Sequence, residues 1–100
     1  MKGGDNMRNT FYRIELIKEK EKDQFCWAGY FNDLQLAIDQ AKEELKERIH
    51  FEGAESKHKV DIYQCVMNSI NHSTEMMTIR VDKSTIVKGK IYATYDVILH

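Results

Sequence analysis

Between Phe31 and Gly53 the chain carries one long amphipathic pattern. At about 100° per residue, Leu34, Ala37, Ile38, Ala41, Leu45 and Ile49 fall within a stripe roughly 120° wide, with Asp39, Gln40, Glu43, Lys46, Glu47 and His50 opposite. This periodicity predicts a helix. Asn32 is the expected N-cap, with Gln35 three residues on as the second half of a capping box and Phe31–Leu36 as a hydrophobic staple. Glu44 and Arg48 are spaced for an i,i+4 ion pair. Gly53 is the expected stop. Two alanines in the middle of the stripe let such a helix sit close against a sheet.

Elsewhere the period is two. In Thr10 to Ile17, Tyr12, Ile14 and Leu16 alternate with Arg13 and Glu15, as in a half-buried strand. The mixed charges of Lys18 to Asp23 read as a hairpin tip, followed by an aromatic-rich strand from Gln24 to Tyr30. Lys59 to Met67 and Glu75 to Asp82 alternate again, separated by a turn cluster at Asn68 to Thr74. The last turn is expected at Lys83–Thr85, with Gly89 then a bulge in a long final strand; the alternative places the turn at Lys88–Lys90. The order ββαβββ with short connections predicts an α+β two-layer sandwich, an antiparallel sheet of about five strands on one helix.

That architecture leaves apolar surface over. Five strands at ~4.8 Å make a sheet roughly 24 Å wide, against about 10 Å for one helix. The sheet face assigned away from the helix carries Tyr63, Cys65, Met67, Met76, Tyr92 and Ile98, with Tyr30 beside them. A contiguous patch of Tyr and Met suits a protein–protein contact, and a symmetric homodimer is its simplest form. Tyr63, Met67, Met76 and Tyr92 are the expected interface residues.

Composition narrows the classes. One hundred residues suffice for one domain, here 10–100 behind a Gly- and Asn-rich lead at 1–9, where Met7 is an alternative start to Met1. A net charge of −1 gives no general pull toward nucleic acid or anionic membrane, and no apolar run reaches the ~20 residues of a membrane span. Cys26 and Cys65 form no CxxC or Cys/His motif and read as reduced thiols in a cytoplasmic protein. His50, His58, His72 and His100 show no metal-ligand spacing, so neither metal nor cofactor is expected.

Two other functions have some footing in the residues. Arg80, Lys83, Lys88 and Lys90 beside Tyr92 form a local basic stretch suited to weak binding of single-stranded nucleic acid. Within it, Lys88-Gly89-Lys90-Ile91-Tyr92-Ala93 resembles part of the RNP1 pattern of RRM domains, but with Lys at the third position and no second helix in the chain. The same lysines would equally guard a solvent-facing edge strand against aggregation. A small enzyme with a site at a subunit interface is the third reading. Ser56 near His58, and Ser69 and Ser73 about His72, are its only local hints, and turn chemistry explains them as well.

Overall fold

The computed structural model describes residues 10–67 and 73–100. The expected architecture is present: β1 (Thr10–Lys18), β2 (Gln24–Phe31), α1 (Leu34–Glu52), β3 (His58–Val66), β4 (Ser73–Val87) and β5 (Lys90–Leu99). All neighbouring strands are antiparallel, in the order β2-β1-β3-β4-β5, and α1 packs on one face. The turn cluster expected after β3 lies largely outside the described residues, as does the 1–9 lead.

The core forms where the two periodicities meet. From α1 it takes Ala37, Ala41 and Leu45; from the sheet Ile14 and Leu16 on β1, Val60 and Ile62 on β3, and Met77 and Ile79 on β4. Each fully buried Leu or Ile contributes about 1.5–3 kcal/mol over leaving it in water. Trp27, Phe31 and Tyr95 close the rim, and Tyr95 Oη donates to the backbone oxygen of Lys42 at 3.2 Å.

Three local expectations are corrected. The N-cap is Asp33, in extended geometry, whose carboxylate accepts from Leu36 N–H at 3.0 Å. The helix therefore starts one residue later. Leu36 stays exposed, Phe31 packs on the core, and Gln35 donates to Asp39 rather than reaching back to the cap. A charged cap at the positive end of the helix dipole outcompetes the neutral Asn32 beside it. Along the helix, Glu44 accepts from Gln40 and Arg48 reaches Glu52, in place of the Glu44–Arg48 pair.

The last turn is at Lys88–Gly89, the alternative position. Lys88 and Gly89 both have positive φ (52° and 79°), the signature of a two-residue type I′ hairpin. β4 runs straight through Lys83–Thr85, and the ladder's irregularity is a bulge at Asp82, between the pairs Val81↔Tyr95 and Lys83↔Thr94. Thr85, Ile86 and Val87 are β-branched and favour the pleat, whereas Gly89 supplies the positive φ that a turn needs.

Candidate functional site

The sheet face away from α1 is polar at its centre. Arg80 donates to Glu19 through both Nε and Nη2, at 2.8 and 3.0 Å, and this fork holds the Glu19 carboxyl below its ordinary range. Buried Asp61 accepts from Thr78 Oγ1 at 2.7 Å, and the same hydroxyl lies 2.7 Å from His100 Nε2. Lys59 Nζ stands 3.4 Å from Asp61. Arg13 lies 4.6 Å over the Tyr63 ring; burial, with help from nearby Glu15, pushes that phenol up to about 12.

The four residues expected at an interface are therefore divided. Tyr63 lies in the second half of β3 and Met67 just beyond its end, and Met76 sits at the neighbouring bulge, where Tyr63 pairs with Glu75. Tyr92 pairs with Thr85, ten residues further along β4, roughly 30 Å away at ~3.3 Å per residue. Cys65 is buried; Cys26 is exposed at the opposite edge of the sheet, and both are free thiols. Of the basic stretch, Lys83, Lys88 and Lys90 gather toward the tip of the β4–β5 hairpin, with Lys90 Nζ 5.5 Å from the Tyr92 ring, while Arg80 is held by Glu19.

Among the described residues, half of the exposed large apolar side chains lie on that hairpin. Ile86, Val87, Tyr92, Val97, Ile98 and Leu99 are each 48% to 74% exposed. A signal for this was present in the sequence. Val97-Ile98-Leu99 are three consecutive apolar residues on a strand, so they cannot all face one core. α1 packs chiefly on β1 and β3, off-centre, and leaves this end of the sheet thinly covered. The β4–β5 hairpin also runs past the end of β3, whose pairing with β4 stops at Arg80.

No protein family, curated protein or solved structure matches this chain. What it can do must be read from its own surfaces.

β5 is a sheet edge of unusual regularity. Its ten residues are all in the ladder, and the bulge opposite belongs to β4. His100 N–H donates to Met76 O, so the even-numbered residues turn their backbone groups toward β4. Those of Ile91, Ala93, Tyr95, Val97 and Leu99 are directed outward. From Ile91 to Leu99 the one charged side chain is Asp96, so the lysines crowd the tip and do not guard the edge. The other edge, β2, is shorter and carries its own bulge at Cys26, a feature that discourages edge pairing.

A partly open cleft gathers several titratable side chains. This cavity, of about 300 Å³, lies between the end of α1, the loop after it and β4, lined by Arg48, Ile49, Ser56, His58 and Arg80 among others. His58 is buried, with Nδ1 3.4 Å from Ser56 Oγ and Nε2 3.6 Å from Glu52. Burial pushes its imidazole below the ordinary value. The Ser56 hydroxyl donates to Glu52, at 3.2 Å, rather than to the imidazole. Its proton is thus directed to the carboxylate, the reverse of what an activated nucleophile needs. Lys18, then Ser56 and Arg48, hold Glu52 down to about 2. The group functions as a clasp joining helix end, loop and β1. Among the described residues no cluster of three or more His, Cys, Asp or Glu could hold a metal ion, and no helix is long and apolar enough to cross a membrane.

Proposed function

We propose that this chain is a non-enzymatic protein-binding module that assembles with a second copy of itself through the C-terminal hairpin. The observation that carries the reading is the set of six exposed apolar side chains along Ile86–Leu99, on the strand pair that ends in the open β5 edge. Val97 and Leu99 on one face and Ile98 on the other flank the same β5 edge, and a long edge strand with one charged side chain between Ile91 and Leu99 is a template for pairing. Two free cysteines accord with a reducing, cytoplasmic setting for the assembly.

Light scattering at two protein concentrations and two salt levels tests this. A dimer mass is expected, nearly insensitive to salt because the surface is apolar rather than ionic. Substituting Val97→Lys together with Ile98→Glu is expected to give a monomer whose helical circular dichroism is unchanged, since both side chains are about half exposed. A monomeric wild-type chain at about 100 μM would refute self-assembly, a concentration well above the Kd of most specific complexes.

Binding of single-stranded nucleic acid by the basic tip has less behind it. Arg80 is engaged by Glu19, and Lys90 lies over the Tyr92 face on which a base would stack. Absence of binding at about 50 mM salt would remove that reading.

A further inference from the structure

We infer that two copies join β5 to β5 in one antiparallel register, with Tyr95 opposite Tyr95 on the two-fold axis, so that two five-stranded sheets become one of ten strands. This rests on the self-assembly reading above and specifies its geometry.

Antiparallel pairing of a strand with its own copy is isologous, and directly opposite residues share a face. The outward backbone groups belong to odd-numbered residues of β5, so odd residues must pair with odd ones across the new seam. Few registers remain, two residues apart. With Tyr95 opposite itself, Ile91 meets Leu99, Ala93 meets Val97 and Tyr92 meets Ile98, while Asp96 meets Thr94 and Lys90 meets His100. Every exposed apolar side chain of β5 then faces an apolar one, and no like charges lie directly opposite.

The neighbouring registers fail on side-chain grounds. Centring on Thr94 sets Asp96 against Tyr92 and Lys90 against Ile98. Centring on Ala93 matches Lys90 with Asp96 but runs Val97 and Ile98 off onto the Lys88–Gly89 turn. Centring on Asp96 opposes two carboxylates. Like charges directly opposite are destabilising, and so is leaving the apolar end uncovered.

The area is adequate. A ten-residue strand is ~34 Å long, and its edge with the two flanking side-chain rows presents a band roughly 20 Å wide, about 700 Å² per copy. The total, about 1,400 Å², lies within the 1,200–2,000 Å² of stable complexes. About ten backbone hydrogen bonds would form along the seam.

Cysteine cross-linking tests the register in the full chain with Cys26→Ser, which removes the exposed thiol. Thr94→Cys and Asp96→Cys proteins are mixed, unfolded together in urea, refolded and oxidised. Opposite residues at a non-hydrogen-bonded position are about 4.5 Å apart at Cα, within disulfide reach, whereas the diagonal Thr94–Thr94 pair at ~8 Å is beyond it. The mixture is expected to give a covalent dimer and each protein alone none. Cross-linking of Thr94→Cys by itself would overturn this register. A dimer by light scattering that never cross-links would overturn the edge pairing and leave self-assembly standing; a monomer would overturn both. Should either variant fail to fold, amide exchange on the unaltered chain decides. Ile91, Ala93, Tyr95, Val97 and Leu99 should become at least tenfold more protected at concentrations where the dimer forms than after dilution, and equal protection would overturn the proposal.

Discussion

Gly29 offers a sharp test of how the β2 edge is built. It lies opposite Ile14 on the helix-facing side, two pairs along from Trp27↔Leu16. The Trp27 ring folds back over it. A methyl placed on Gly29 would stand 2.5 Å from Trp27 Cη2, 3.0 Å from Cζ2 and 3.2 Å from Cζ3. Carbon contacts settle at about 3.5–4.0 Å, so in Gly29→Ala the indole must retreat by roughly 1 Å or more from a site packed against the core. Overpacking of this kind costs about 1–3 kcal/mol. Against it stands about 0.4–1 kcal/mol gained by restricting the unfolded chain. The net loss is centred at about 1.3 kcal/mol, within a span of about 0–2.6 kcal/mol, and for a domain of this size the melting temperature should fall by roughly 5–10 °C. Trp27 is the one tryptophan in the chain, so its emission reports the displacement directly, and a red shift is expected. In a Trp27→Phe background the clashing outer atoms are gone, and Gly29→Ala should become neutral or stabilising. If Gly29→Ala melts at the wild-type temperature with unshifted emission, or costs the same with and without the indole, the close packing of Trp27 on Gly29 is refuted.

The cap of α1 gives a paired comparison: Asp33→Ala should cost about 1 kcal/mol and Asn32→Ala less than about 0.5 kcal/mol in urea denaturation, and the reverse ranking would return the cap to Asn32. Acid should act in two stages. The folded-state pKa of His58 is depressed by burial, so the unfolded chain takes up that proton first, and stability should begin to fall as pH drops through about 6.5. Glu52 and Glu19, also depressed in the folded state, contribute stability that is full above about pH 4.5 and is lost as pH falls toward their folded values. Urea midpoints measured from pH 8 to about 2 should show both stages, and His58→Gln should remove the first alone; a midpoint flat from pH 8 to about 5 would refute the assignment.

Where a segment had one buried face, its sequence pattern was enough to place it. β1, β3 and α1 alternate or repeat cleanly because each packs on a single core, and the Ala37–Ala41–Leu45 stripe is buried as its periodicity implies. Legibility failed where two signals of similar strength competed. Asn32 and Asp33 are adjacent cap-formers, and a charge settles between them. Lys83–Thr85 and Lys88–Gly89 both contain turn-compatible residues, and only backbone conformation separates them. The grouping of exposed apolar residues was the hardest to read, because contiguity depends on register. Tyr63 and Tyr92 share a face by parity yet sit far apart along β4. Val97 and Leu99, on the helix-facing side, look like core by pattern and stay exposed because α1 lies over β1 and β3.

The strand order also sets how this chain can fold. β1 with β2, and β3 with β4 and β5, are neighbours in sequence as well as in space, so each piece can zip from a nearby turn. The β1–β3 seam alone is different: its closest-spaced pair, Lys18↔His58, lies 58 − 18 = 40 residues apart, with α1 in between. Loop-closure entropy therefore concentrates at one step, and non-local pairing of this kind sets folding rates. A hairpin and a three-stranded meander thus become one sheet at the single seam that α1 bridges in sequence.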